Sequence, residues 1–215
     1  MSAIECYDFP LYSRDERKAD SYVHAVGIGA ALVAVPVLIW QTAPDHRGAA
    51  ITYGLALLAM LIASAAYNMS RASHLKLKLR QFDYSAIFLK IAGGYTPVAL
   101  ALIGGGHGFA LWAAVWVIAI SGVVFKLTQP RFIKKGSLAL YVVLGWAIMF
   151  CSNQLVAATS DGQLMLIAAG GITYSVGVIF HMWESLPYQN AIWHVFVLVG
   201  SAFIFAANWL ILTGM

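Results

Sequence analysis

The sequence predicts an all-α integral membrane protein, a bundle of seven transmembrane helices with its N-terminus in the cytoplasm and its C-terminus outside. Three observations predict it. The 215 residues have a mean hydropathy of +0.78, with 61% hydrophobic and only 10% charged residues, which requires lipid as solvent. Seven apolar stretches are each long enough for a helix to cross a hydrocarbon core of roughly 30 Å. Basic residues gather in alternate loops.

The stretches fall at 23–42, 49–68, 82–103, 108–126, 137–157, 163–181 and 191–212. Residues 1–22 read as a polar cytoplasmic leader and 23–215 as one membrane domain. The leader mixes Glu5, Asp8, Asp15, Glu16 and Asp20 with Arg14, Arg17 and Lys18, unlike a cleavable signal, so the first span is expected to stay in the membrane. Arg71, Lys76, Lys78 and Arg80 follow the second span, and Lys126, Arg131, Lys134 and Lys135 follow the fourth. Arg47 alone lies in the loops of the other face, which puts the N-terminus inside and makes the chain a multi-pass protein of the cell inner or plasma membrane. Gly104, Gly105 and Gly106 read as an external turn, and they lack the Lys and Ser/Thr spacing of a phosphate loop. Cys6 in the leader and Cys151 in the fifth span imply no disulfide framework. The basic residues are spread over three loops with no aromatic-interleaved groove, so no nucleic-acid partner is expected. The sequence leaves the oligomeric state open.

Polar side chains inside the spans cluster in depth. His24 opens span one, Ser64 and Asn68 close span two, and Asp83 opens span three. His181 closes span six, and Asn190 and His194 open span seven, so all of these ends face the cytoplasm. Ser64 and Asn68 share a helix face at four-residue spacing, as do Asn190 and His194. Polar groups at membrane depth face a bundle interior, so a polar cavity is expected there. Trp183, Tyr188 and Trp193 fit an interfacial belt, while His46, His74 and His107 fall in loops.

Four stretches carry a resemblance: SAAYN at 64–68, FDYSAIF at 82–88, AGGYTP at 92–97 and LPYQNAIWHVFVLVG at 186–200. Their order and spacing resemble the hemolysin III family, the bacterial branch of the progestin and adiponectin receptor (PAQR) superfamily. The resemblance implies seven helices with a cytoplasmic N-terminus, and kinship with membrane amide hydrolases of the ceramidase type. It also implies a zinc ion held by three His side chains at the positions of Asn68, Asn190 and His194, with Asp83 holding a water. This chain keeps one of the three imidazoles, and neutral amides are poor zinc ligands. The expectation is therefore a degenerate zinc site, with no cofactor expected, although zinc on His194 with Asp83 stays open.

Lys90 lies seven residues after Asp83, and its ammonium is expected to reach back toward that carboxylate in place of the metal. The expected network is Ser64, Asn68, Asp83, Lys90, Asn190 and His194, with His181 beside it if the last two spans pack together. The leading functional expectation is a non-catalytic or weakly active protein that binds a membrane lipid or another amphipathic small molecule. The alternatives are a zinc-dependent lipid amide or ester hydrolase, with Asp83 as base and Ser64 as a candidate catalytic group, a cytolytic protein, and an ion or proton relay through Asp83 and Lys90.

Overall fold

The computed structural model describes residues 12–71, 74–128 and 137–214, and among them every regular element is helical. Cys6 and the loop residues Arg131, Lys134 and Lys135 lie outside the described residues. Helix α1 (Arg14–Gln41) starts well ahead of residue 23. Its start is fixed by a capping box: Ser13 Oγ accepts from the Glu16 N–H at 3.2 Å, and the Glu16 carboxylate accepts from the Ser13 N–H at 2.8 Å. The extra turns carry Asp20 into the bundle, where it is 5% exposed, so this residue does not belong to a solvated leader.

A short 3₁₀ turn (Pro44–His46) leads into α2 (Arg47–Met69). Helix α3 (His74–Pro97) continues as a π-helical stretch, Val98–Ile103. Gly104 and Gly105 then turn the chain at φ of 61° and 56°, a region open to glycine, and α4 (Gly105–Thr128) follows.

The fifth span is not the single helix expected for 137–157. It consists of α5 (Ser137–Gly145), a 3₁₀ turn (Ala147–Cys151) and α6 (Ser152–Ala158). The break survives in an apolar setting because Tyr95 of α3 satisfies its backbone. The Tyr95 hydroxyl donates to the Gly145 carbonyl at 2.6 Å and accepts from the Ile148 N–H at 2.9 Å. Helices α7 (Asp161–Met182) and α8 (Gln189–Thr213) complete seven candidate spans.

Helix α2 packs between α1 and α3, and α8 packs against both α7 and α1. Small residues set these approaches. A Cβ added at Gly93 would lie 2.5 Å from Ala56 Cβ, and one at Gly177 would lie 2.7 Å from Phe196 Cβ. Leu32, Val33, Val117, Phe150, Met165 and Ile179 project outward and form part of the lipid-facing surface. The chain is thus a multi-pass integral membrane protein, with the start of α1, the end of α2 and the starts of α3 and α8 at one end of the bundle.

Candidate functional site

Those four helix ends converge on a buried acid, imidazole and amide cluster. Asp20 and His24 lie one turn apart on α1, 5% and 4% exposed. Asp20 is the hub. One oxygen accepts from His194 Nδ1 at 2.5 Å, and the other accepts from Asn190 Nδ2 at 3.0 Å and lies 3.6 Å from His24 Nε2. Asn190 Nδ2 also donates to Asn68 Oδ1 at 3.1 Å. On α2, Asn68 Nδ2 donates to the Ser64 carbonyl at 2.9 Å, and the Ser64 hydroxyl is 3.5 Å from His194 Nε2. Asp83 on α3 lies beside Ser64.

The local fold explains why α8 presents Asn190 and His194 here. Tyr188, just before the helix, takes a left-handed backbone at φ 59°, unusual for a residue with a side chain. Its N–H donates to the Glu16 carboxylate at 2.9 Å. The first turn of α1 thereby holds the entry to α8 in register, and Asp20, one turn further on, meets His194. Outside the spans, Tyr12 stands at this end of the bundle. Burial pushes its phenol up to about 12, with the negative charge of Asp20, Glu16 and Glu184 acting in the same direction.

The structure brings Ser64, Asn68, Asp83, Asn190 and His194 into one neighbourhood. Lys90 is the exception. Its amine donates to the Tyr174 hydroxyl of α7 and lies 3.9 Å from that ring's centre, so it makes a cation–π contact and not a pair with Asp83. Tyr174 in turn is 2.7 Å from Ser201 of α8. The physical reason is lateral: α7 offers a phenol at the depth of Lys90, which removes the need to reach back along α3. His181 stands beside the cluster, its ring 4.8 Å from that of Trp193 and its carbonyl accepting from Gln189 at 2.7 Å. His74 and His107 are exposed.

Asp20 and the partnership of His24 are what sequence reasoning missed. The signal was there: Asp20 and His24 repeat the four-residue spacing of Ser64 with Asn68 and of Asn190 with His194. Together Asp20, His24 and His194 form a group able to hold a metal ion, with one ligand atom from each lying within 4.8 Å of the others.

The haemolysin-III related family model matches residues 14–205. The chain belongs to that family. It is 34% identical to Hemolysin-3 of Bacillus cereus, over 88% of this chain and 89% of the relative. It is also 34% identical to the Hemolysin-3 homolog of Bacillus subtilis (strain 168), over 91% and 93%. Monocyte to macrophage differentiation factor of Homo sapiens is 28% identical over 90% of this chain and 83% of the relative, in keeping with the wider PAQR superfamily. No solved structure matches the chain.

The ligand set that the resemblance implies does not fit zinc here, because Asn68 and Asn190 have turned their amides to each other and to Asp20. The set Asp20, His24 and His194 does fit. It offers a carboxylate and two imidazoles, the donors zinc prefers, and His24 Nε2 is buried without a hydrogen-bond partner among the described residues.

Proposed function

We propose that this haemolysin-III related protein keeps a divalent metal site with changed ligands, and that the site serves hydrolysis of an amide or ester in an amphipathic membrane molecule. The observation that carries the reading is the orphaned His24 Nε2, facing Asp20 beside His194. Zinc or a similar cation would supply a Lewis acid and a water of lowered pKa. The chain's own residues divide the remaining work. Asn190 fixes one oxygen of Asp20, and Asn68 fixes Asn190, so two residues at former ligand positions become supports for the new carboxylate ligand. Asp83, with Ser64 beside it, would accept a proton from a water entering the cluster. Ser64, between Asp83 and His194, would orient that water.

A second reading is supported by the same hydrogen bonds. Asp20 already receives donors from His194 and Asn190, so a metal-free cluster could bind the polar head of a lipid without chemistry. Metal content separates the two. Protein purified in mild detergent without chelators should carry close to one zinc-class ion per chain by mass spectrometry, and Asp20→Asn should carry almost none. A natural chain free of metal leaves the lipid-binding reading. The name of the Bacillus cereus relative, Hemolysin-3, adds cytolysis as an activity to assay with erythrocytes.

A further inference from the structure

Beyond the metal-capable cluster, the polar residues of the core repeat along the bundle axis. Asp83 and Lys90 on α3 are seven residues apart, as are His181 and Tyr174 on α7, and His194, Ser201 and Asn208 on α8. Seven residues are two helical turns, about 10 Å of rise, so each series stays on nearly one face. The result is three tiers. The first is the acid and imidazole cluster. The second is Lys90, Tyr174 and Ser201, joined by hydrogen bonds from α3 through α7 to α8. The third is Asn208, which donates to the Gly94 carbonyl at 3.2 Å, with Tyr53 of α2 as its neighbour.

Among the described residues, four atoms in this column are buried without hydrogen-bond partners: His24 Nε2 and His181 Nδ1 in and beside the first tier, and Tyr53 Oη and Asn208 Oδ1 in the third. Tyr53 and Asn208 are both 0% exposed. Buried polar atoms in folded proteins are bonded to protein or to ordered water, and such atoms in lipid are costly. Apolar packing would have served the third tier as well if it only held helices together. Every hydroxyl and the amine in the second tier can both give and receive a proton once the neighbouring hydrogen bond reorients.

We propose that the second and third tiers form a path for protons through the bundle that opens beside the first, with ordered water bridging the intervals. Each interval of about 10 Å takes two or three waters at hydrogen-bond spacing. A proton entering at the Asn208 end passes by way of the Tyr53 hydroxyl and water to Ser201, Tyr174 and Lys90. Lys90 releases a proton on the other side through water toward the cytoplasmic end of the bundle, beside the first tier and without titrating its metal-capable side chains. Each relay group ends with the number of protons it began with, and the membrane potential or a pH difference supplies the drive. The path does not need the metal.

The test uses the full chain in liposomes with a pH-sensitive dye trapped inside, driven by a potassium gradient with valinomycin. Proton entry should exceed that of protein-free liposomes and persist in chelator, which separates this path from the metal reading. Tyr53→Phe and Ser201→Ala each remove one hydroxyl with little change in shape and should lower the flux about tenfold, the kinetic equivalent of one lost hydrogen bond. Their metal content should equal that of the natural chain. Flux no greater than in protein-free liposomes overturns the proposal, as does unchanged flux in both variants. Equal passage of sodium overturns it too, by revealing a general leak.

Discussion

The first and second tiers of the core solve the same problem in different ways. Both bury ionisable side chains in a bundle surrounded by lipid. The first is a closed web: Asp20, Asn190, Asn68, Ser64 and His194 are linked across three helices, with a carboxylate as common acceptor. The second is a line, Lys90 to Tyr174 to Ser201, and contains no carboxylate. In a web, the loss of the hub leaves several groups unpaired at once. In a line, the outcome depends on which member is lost, because an end can be removed without disturbing the remaining bond.

Asp20→Ala should therefore have the largest effect. It leaves His194 and Asn190 without their acceptor, at a cost of about 3–5 kcal/mol, measurable as a large fall in melting temperature in detergent together with loss of bound metal. Chelator treatment of the natural chain should lower the melting temperature less, since the hydrogen bonds of the web remain. In the line, Tyr174→Phe removes the middle member and strands the Lys90 amine, costing about 2 kcal/mol. Lys90→Met removes an end and leaves the bond between Tyr174 and Ser201, so its stability should stay within about 1 kcal/mol of the natural chain, with little change in melting temperature. Equal losses from Tyr174→Phe and Lys90→Met would erase the distinction between web and line.

The smallest expected effects lie at the edge of the web. Glu16→Ala frees the Tyr188 N–H and opens the capping box, costing about 1 kcal/mol. Tyr12 makes a pH test. Its folded pKa lies above the ordinary value of 10.0, at about 12, so the fold favours the neutral phenol. That contribution is complete below pH 10 and is lost as pH rises from 10 to about 12. The alkaline decline in melting temperature should be shallower in Tyr12→Phe.

The seven spans were legible because lipid imposes one rule, a long apolar helix, on every crossing. The break between α5 and α6 was not, because the group that permits it, the Tyr95 hydroxyl, sits 53 residues from Ile148. Hydropathy along 137–157 carries no trace of a side chain on another helix. For the site, helix-end polarity and four-residue spacing pointed to Ser64, Asn68, Asp83, Asn190 and His194. Asp20 escaped because it follows Arg14, Asp15, Glu16, Arg17 and Lys18, a run that reads as solvated until the early start of α1 is known. The partner of Lys90 escaped for another reason. Sequence gives distances along α3, whereas Tyr174 lies 84 residues away on a neighbouring helix.

The bond between Asp20 and His194 joins residues 174 positions apart, from the first helix to the last. During synthesis Asp20 is made long before its donors His194 and Asn190, so the early helices hold a carboxylate without those donors until α8 arrives. A product truncated before α8 would keep that carboxylate without its two donors in a bundle surrounded by lipid, a cost that the last helix offsets.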